Sequence, residues 1–281
     1  MKTGLVMEGG AMRGMFTAGV IDVMMENGII LDGAIGVSAG AAFGCNYKSG
    51  QIGRVIRYNV RFAKDPRFCS VRSLIKTGNM FGADFCYREI PYELDLFDYK
   101  AYAESEMEFY VVCTDVETGE AVYKKCDILD GDQMEWLRAS ASLPLASKIV
   151  EIEGKGYLDG GISDSVPLKY FESIGYTKNV VILTQPDSYR KRKAKMLPIM
   201  RIAMRKYPEM VRAMATRHDM YNESVEYVRQ AERDGRAFVI RPDEKLPIGH
   251  IEHNGDNLRN VYEIGRSIAE KRLSEMKEFL R

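Results

Sequence analysis

Two turns that each join a short apolar run to an apolar helix are the feature that most limits how this chain can fold. The run at residues 4–7 leads through a glycine-rich loop into a helix predicted over residues 15–27. The run at residues 33–37 leads through Ser38 into a helix predicted over residues 39–48. Strands and helices that alternate in this way form a parallel sheet, because right-handed crossovers return each strand beside its neighbour. The sequence therefore predicts an α/β fold with helices on both faces of the sheet.

Later residues add strands to this sheet. A hairpin is predicted at residues 109–115 and 121–123, where a polar turn separates two runs rich in β-branched and aromatic residues. Residues 51–107 contain many aromatic side chains but no clear period, so helix and loop are expected there without defined bounds. Further strands are predicted at residues 148–152, 156–158, 180–183 and 237–240, and a helix at residues 167–174.

Length and composition exclude several classes of protein. A chain of 281 residues can bury a large core, and we expect one domain over residues 1–281. Basic and acidic residues number 40 each, so net charge gives no reason to expect a nucleic-acid partner. No apolar run reaches the length of a signal peptide or a membrane span, which predicts a cytoplasmic location. The five cysteines are scattered, so we expect reduced thiols, no metal and no cofactor.

Ser38 lies in the run Gly36, Val37, Ser38, Ala39 and Gly40. A serine on a sharp turn between a strand and a helix is the arrangement of a nucleophile elbow, and the flanking glycines permit close approach of neighbouring backbone. The helix behind the turn directs unpaired N–H groups toward negative charge that develops during acyl transfer. We expect Ser38 to be exposed. The alternative is a tight turn whose serine only caps the helix.

The loop after the first strand is rich in glycine and begins at Glu8. Such a loop can offer several backbone N–H groups to one anion. It does not fit a dinucleotide fingerprint, because Ala11 replaces the third glycine and no acid ends the second strand. Since the first two strands are expected to be neighbours, this loop and the Ser38 turn would lie side by side, one as oxyanion hole and the other as nucleophile. Arg13 at the start of a helix opposes the helix dipole, which favours a functional role.

A serine nucleophile needs a base, and two assignments are open. His218, His250 and His253 follow Ser38 in the order that a triad of the α/β-hydrolase type requires. In that fold, however, the elbow follows several strands, whereas Ser38 follows the second. The other candidate is Asp159, which ends a predicted strand and is followed by two glycines. The alternative for Asp159 is a simple turn.

Three motifs occur together, in order, and each at the end of a predicted strand. Taken with residues 139–144 (Ala-Ser-Ala-Ser-Leu-Pro) and residues 164–167 (Asp-Ser-Val-Pro), they resemble the patatin-like phospholipase family over about residues 4–185. The chain departs from the family pattern at Ala11, Ser142 and Ser165. Ala11 still has an N–H group, and the oxyanion hole keeps this donor if φ at Ala11 is negative. The three motifs are residues 8–14 (Glu-Gly-Gly-Ala-Met-Arg-Gly), 36–40 (Gly-Val-Ser-Ala-Gly) and 159–161 (Asp-Gly-Gly).

The resemblance implies a three-layer α/β/α sandwich with a mostly parallel central sheet, a catalytic core at about residues 4–185 and a helical C-terminal part at about 186–281. It implies a Ser/Asp dyad, with Ser38 as nucleophile and Asp159 as general base, that hydrolyses lipid acyl esters of the phospholipase A or lysophospholipase type. Other residues are implied in supporting roles: Gly9, Gly10, Ala11, Arg13 and Gly14 at the oxyanion hole, Gly36 and Gly40 at the nucleophile elbow, and Gly160 and Gly161 beside the base.

Other functions remain open at this point. The same dyad could serve a small-ester esterase, a thioesterase or an acyltransferase, and the glycine loops could instead belong to a non-catalytic module that binds an anion or a lipid. Residues 196–214 mix methionines with basic residues, which suits peripheral contact with an anionic membrane surface. Packing of the methionines on the core is the alternative that we favour for this segment, because amphipathic helices usually do this.

Overall fold

The computed structural model describes residues 1–281, except for the side chain of Asp132. Its centre is a mixed eight-stranded sheet in the order β5-β6-β3-β2-β1-β7-β8, and β4 pairs with β3 beside this path. The strands are β1 (Lys2–Met7), β2 (Gly33–Val37), β3 (Glu108–Asp115), β4 (Ala121–Lys125), β5 (Val150–Ile152), β6 (Lys155–Asp159), β7 (Tyr176–Ile182) and β8 (Ala237–Ile240).

Four strand pairs are parallel and three are antiparallel. The parallel pairs are β1 with β2, β1 with β7, β2 with β3 and β7 with β8. The antiparallel pairs are β3 with β4, β3 with β6 and β5 with β6. The parallel half of the sheet therefore contains the two strands that precede the glycine loop and Ser38, as the strand–helix alternation predicts.

Eleven α-helices are present among the described residues. Ten-residue α2 coincides with its predicted range, and α1 begins one residue before the prediction, at Gly14. Short 3-10 turns lie at Ala11–Arg13 and Gly160–Ile162, and a π-helical segment covers Phe85–Leu94. The helices are α1 (Gly14–Glu26), α2 (Ala39–Lys48), α3 (Arg54–Phe62), α4 (Val71–Thr77), α5 (Tyr99–Glu104), α6 (Gly131–Ser140), α7 (Leu168–Ser173), α8 (Leu197–Ala203), α9 (Pro208–Arg233), α10 (Gly255–Lys271) and α11 (Leu273–Leu280).

Both faces of the sheet are buried, because side chains alternate along each strand. Along β1, Leu5 and Met7 join the larger hydrophobic core, whereas Val6 joins a second core on the other face. Helices α1, α2 and α10 contribute to the first core, and α7 and α9 contribute to the second. This three-layer α/β/α arrangement confirms the predicted fold class.

Some sequence predictions of local structure are wrong. The turn between β5 and β6 lies at Glu153 and Gly154, both with positive φ, and not at residues 154–156. Two successive positive φ angles are typical of a tight hairpin. Helix α6 has no counterpart in the prediction. Its last residue, Ser140, forms hydrogen bonds with the Ser38 turn and with β3. Residues 51–107 form α3, α4, α5 and the π-helical segment, for which the aromatic-rich sequence gave no period.

The C-terminal residues are built into the same sheet and core. Strand β8 pairs in parallel with β7 over Ala237–Ile240. Helix α10 crosses α1 where Gly19 and Gly265 allow the two backbones to touch, because a Cβ at Gly19 would lie 2.1 Å from the Tyr262 carbonyl oxygen. A Cβ at Gly265 would lie 2.2 Å from the Phe16 oxygen. Helix α10 thus covers the helix that follows the glycine loop.

Candidate active site

The register of β3 brings Ser38 and Asp159 to adjacent levels of the sheet, on either side of β3. Val37, the last residue of β2, pairs with Val112. The next residue of β3, Cys113, pairs with Asp159, the last residue of β6. Since β2 runs parallel to β3 and β6 runs antiparallel to it, the two strands end toward each other at this point.

Ser38 lies on a strained turn. Its backbone has φ 55° and ψ −123°, which is uncommon for a residue with a side chain and frequent at functional sites. The turn is tight, because a Cβ at Gly36 would lie 2.5 Å from the Ala41 nitrogen and one at Gly40 would lie 2.5 Å from the Met7 oxygen. Ser38 is 8% exposed, so the prediction that it is exposed is wrong: it is buried in the lining of a pocket.

Ser140 fixes the Ser38 turn to the central strand. The backbone N–H of Ser38 donates to Ser140 Oγ at 2.9 Å, and Ser140 Oγ donates to the Val112 carbonyl at 2.6 Å. A buried hydroxyl that both accepts and donates leaves no polar group unpaired between the turn and β3. The resemblance covers Ser140 only as part of the residues 139–144 segment.

Asp159 is buried, and one of its oxygens has no partner. Oδ1 accepts from the Gly161 backbone N–H at 2.8 Å, whereas Oδ2 makes no hydrogen bond of ordinary geometry within the described structure. Burial raises the pKa of Asp159; the nearby positive charge of Arg217 and the Ser38 hydroxyl partly oppose this rise. Desolvation destabilises the charged carboxylate and so makes it a stronger base.

The loop that carries Asp159 is held from several sides. The Asp159 N–H donates to the Ser142 carbonyl at 2.8 Å, and Ser165 Oγ donates to the Gly161 carbonyl at 2.7 Å. Arg217 Nε donates to the same Gly161 carbonyl at 2.6 Å. Two of the positions at which the chain departs from the family pattern, Ser142 and Ser165, therefore still support this loop.

The glycine loop after β1 faces Ser38 with free donors. A Cβ at Gly9 would lie 2.9 Å from Ser38 Cβ, so the loop and the turn are in contact. The backbone N–H groups of Gly9, Gly10 and Ala11 donate to no protein acceptor in the described structure. Ala11 has φ 47°, so the condition of a negative φ is not met; its N–H nevertheless has no acceptor among the described residues and remains available as a donor. Ala11 adopts the left-handed conformation that the glycine of the family pattern adopts easily.

Glu8, Arg13 and Gly14 complete this loop. Glu8 is buried and accepts from Tyr221 OH at 2.9 Å and from the Thr184 N–H at 2.5 Å, which ties the loop to α9 and to the end of β7. Gly14 begins α1 against the Phe43 ring. The Arg13 side chain makes no hydrogen bond to the loop. Its Nη1 lies 3.4 Å from His250 Nε2, and its Nε is buried and has no hydrogen-bond partner among the described residues.

Two cavities meet at Ser38. One, of about 410 Å³, contains Ser38, Asp159, the glycine loop and several basic side chains. The other, of about 130 Å³, is mostly apolar and extends from Ser38 between α2, α3 and the π-helical segment. Its lining includes Ala42, Phe43, Tyr58, Phe81 and Ile90.

A family model described as Patatin-like phospholipase matches residues 5–172. The chain belongs to the patatin-like phospholipase family. The family supports lipid acyl ester hydrolysis as the broad activity, and the match covers both Ser38 and Asp159. A second family model, described as a domain of unknown function (DUF6363), matches residues 207–281.

Relatives of this patatin-like chain include proteins with and without an assigned activity. It is 28% identical to the uncharacterized protein YjjU of Escherichia coli K12, over 94% of this chain and 75% of that protein. It is 27% identical to lysophospholipase nte1 of Aspergillus niger, over 62% of this chain but only 11% of that protein. Among solved structures, VipD of Legionella pneumophila is 15% identical with a TM-score of 0.45, over 96% of this chain and 67% of that one.

The histidines of this patatin-like chain are dispersed. His250 lines the larger cavity, but it contacts Arg13, and neither Ser38 nor Asp159 forms a hydrogen bond with it in the described structure. Partial burial and three nearby cations lower the pKa of His250. His218 lies beside Asp219, and His253 bonds to the Ala63 carbonyl.

Sequence reasoning missed two residues of the larger cavity, Lys191 and Arg217. Both lie beyond the resemblance, in the basic stretch of residues 190–217, which contains ten basic residues and one acid. That charge imbalance was the one signal that could have pointed to them. The motif order does not, because the two cations reach the cavity only through the docking of α9 and of the loop after β7.

Proposed function

We propose that this chain is a serine acyl hydrolase that cleaves lipid acyl esters of the phospholipase A or lysophospholipase type through a Ser38/Asp159 dyad. The acyl chain would occupy the apolar cavity, and the alcohol part of the ester would occupy the larger cavity. Family membership supports the broad reaction, and the geometry around Ser38 supports the dyad.

In this mechanism, Ser38 Oγ attacks the ester carbonyl carbon while Asp159 Oδ2 takes the hydroxyl proton. The free N–H groups of Gly9, Gly10 and Ala11 stabilise the resulting oxyanion, and each well-placed donor contributes roughly 100- to 1,000-fold in rate. The alcohol leaves with the proton from Asp159, which gives an acyl-Ser38 ester. Water then gives a proton to Asp159 and attacks this ester, which releases the fatty acid and restores the Ser38 hydroxyl.

The observation that carries this proposal is the unpaired Oδ2 of buried Asp159 in the same pocket as strained Ser38. An unsatisfied buried oxygen destabilises a fold, and a residue at positive φ does so as well. Both costs at one place favour a catalytic role over a structural turn. Hydrogen bonds in a site without substrate are often poorly aligned, which agrees with the absence of an ordinary Ser38–Asp159 bond.

A fluorophosphonate probe tests the dyad, because it reacts with an activated serine hydroxyl. We expect labelling of the native chain and none in Ser38→Ala, with kcat/KM lowered roughly 100- to 10,000-fold in Asp159→Asn. Asp243→Asn, at an exposed aspartate, is the matched control and should label normally. Loss of labelling in His250→Ala would support a histidine triad in place of the dyad. An unlabelled native chain would favour a non-catalytic binding module.

We also propose that α8 contacts an anionic membrane surface from the cytoplasmic side. Met200 in α8 and Met204 directly after it join a small core, whereas Met196 directly before the helix and Ile199 and Ile202 within it are 50%, 52% and 73% exposed. Met196 also lines the larger cavity, so this apolar face continues into the proposed active site. Three exposed basic residues within and after α8 have no acidic partner among the described side chains: Arg201, Arg205 and Lys206. No helix in the described structure is long and apolar enough to cross a bilayer.

Co-sedimentation with vesicles tests this contact. The pair Ile199→Ser and Ile202→Ser should reduce binding to phosphatidylglycerol vesicles, whereas Ile30→Ser, an isoleucine 79% exposed after α1, should not. Vesicles of phosphatidylcholine alone should bind less of the native chain, since basic side chains contribute through anionic lipid. Equal binding by all three proteins would contradict the assignment of this face.

We propose that residues 1–281 form one domain, in spite of the two separate family matches. The supporting contacts are β8 on β7, α10 on α1, and Tyr221 on the buried Glu8. Urea unfolding should then give one transition with coincident changes in circular dichroism and in the fluorescence of Trp136. Two separated transitions would indicate two domains.

A further inference from the structure

Three basic side chains from distant parts of the chain line the cavity that contains Ser38 and Asp159. Arg13 lies at the end of the glycine loop, Lys191 lies in the loop after β7, and Arg217 lies in α9. In the described structure, no carboxylate oxygen lies within salt-bridge distance of any of these three side chains, although many other arginines and lysines of the chain are paired with acids. Their proximity is unfavourable: burial, Arg217 and Arg13 together lower the pKa of Lys191.

Most of the donors on these side chains are unused. Nε of Arg13 is buried and unpaired, and Nη1 has only a long contact with His250. Nζ of Lys191 lies 4.2 Å above the centre of the Tyr221 ring and has no hydrogen-bond acceptor among the described residues. Arg217 uses Nε on the Gly161 carbonyl, and its Nη2 lies near Gly161 at the cavity wall.

The nearest acids do not neutralise this cluster. Both oxygens of Glu8 are already bonded, to Tyr221 and to Thr184. Asp159 is the proposed base, and burial raises its pKa. An anion bound between the two guanidinium groups and the ammonium group would satisfy the unused donors and relieve the mutual repulsion.

We propose that Arg13, Lys191 and Arg217 bind an anionic phosphate on the alcohol part of the substrate, and that this headgroup carries no ammonium group. This inference rests on the proposed function and specifies its substrate class: an acyl ester of a phosphorylated alcohol, such as a 1-acylglycerol 3-phosphate. The two cavities that meet at Ser38 then hold different parts of the substrate: the apolar cavity holds the acyl chain, and the cavity with the basic side chains holds the phosphate.

The charge of the cavity argues against a choline or ethanolamine headgroup. The ammonium group of such a headgroup would lie close to three cations, whereas for a phosphate these three cations outnumber the two carboxylates of the cavity, Glu8 and Asp159. Lys191 and Arg217 lie outside residues 5–172, so this phosphate site does not follow from the family match. Arg217 also gives a role to the segment that matches a domain of unknown function.

A binding measurement tests the site without turnover. The full chain with Ser38→Ala is titrated with glycerol 3-phosphate by calorimetry. We expect saturable binding that weakens about tenfold on adding Lys191→Met, the lower end for one charge-assisted hydrogen bond. Lys191→Arg should keep the binding, and Lys193→Met, an exposed lysine two residues away, is the control and should not weaken it. Absence of binding overturns the inference, and equal affinity for inorganic phosphate overturns its assignment to a headgroup.

A kinetic measurement separates this inference from the proposed function. We expect kcat/KM for 1-oleoylglycerol 3-phosphate to exceed that for 1-oleoylphosphocholine, and Lys191→Met to reduce this preference about tenfold through KM. A preference for the choline substrate overturns the inference while the hydrolase assignment remains. If neither substrate is cleaved and the fluorophosphonate probe does not react, the proposed function fails, and the binding measurement still decides the phosphate site.

Discussion

Lys191 is held where its charge destabilises the folded chain, so its replacement by methionine should stabilise the protein. Burial, with Arg217 and Arg13, lowers the pKa of Lys191 to about 8, and Glu8 and Asp159 oppose this only in part. Methionine keeps an unbranched, flexible side chain of similar length and removes the charge. The proposed phosphate site would thus be maintained at the expense of stability, as binding sites often are.

The size of the effect follows from the two pKa values. An unperturbed lysine has a pKa near 10.5, so the value of about 8 in the folded chain corresponds to about 3 kcal/mol at pH 7. The Tyr221 ring over Nζ offsets part of this, because a cation–π contact contributes about 0.5–2 kcal/mol. We therefore expect Lys191→Met to raise the free energy of unfolding by about 2 kcal/mol, or the Tm by roughly 5 °C.

The pH dependence gives the sharper test. Below pH 8, Lys191 is charged in both the folded and the unfolded chain, and the full penalty applies. Above pH 8 the folded chain releases the proton while the unfolded chain keeps it up to about 10.5, so the penalty disappears over this range. Urea unfolding at pH 7 and pH 10 should therefore show a stabilisation that shrinks to below about 1 kcal/mol. Lys193→Met should give no such trend, and a destabilised Lys191→Met at pH 7 would refute this reasoning.

Three further changes test the site. Ala11→Gly removes the strain of a positive φ, but glycine raises the conformational entropy of the unfolded chain, which lowers stability by about 0.4–1 kcal/mol. We therefore expect a small net change in Tm and full fluorophosphonate labelling, and loss of labelling would contradict this. Gly160→Ala places a Cβ 2.1 Å from a β3 carbonyl oxygen and should abolish labelling, whereas Gly131→Ala, in open space, should not; normal labelling of both would show that the loop is not constrained. Arg217→Met removes a charge that lowers the pKa of Asp159, so the acidic limb of the kcat/KM profile should move to higher pH, and an unmoved limb would exclude this coupling.

The sequence predicted the first two strands and helices of the parallel half of the sheet well, because strand and helix alternate there with clear boundaries, but β7 begins four residues before its predicted start. It predicted β2 and α2 at their observed bounds and placed Asp159 at the end of β6. These segments are fully apolar or end in glycine and polar residues, so the local sequence pattern is enough to predict where each of them ends. The motif order also selected the residues that the register of β3 brings together.

The remaining features depend on contacts between distant residues, which a local pattern does not contain. Ala11 adopts a positive φ directly after Gly9 and Gly10, which pack closely against Ser38 and Thr184 in the assembled site. Ser38 is buried because residues far along the chain, including Leu145 and Met196, form walls around it. Lys191 and Arg217 reach the cavity only when α9 has packed on the sheet.

The glycine crossing of α1 and α10 also sets when the site can be completed during synthesis. Helix α1 follows the proposed oxyanion loop directly, yet the helix that covers it, α10, begins only at Gly255 and ends at Lys271. At about 5–20 residues per second, a ribosome needs on the order of 10–50 s to make the intervening chain. The helix that follows the loop therefore keeps an uncovered apolar face until translation has passed Lys271. We therefore expect the proposed catalytic site of a nascent chain to stay incomplete until α10 emerges, even though Ser38 and Asp159 have already been synthesised.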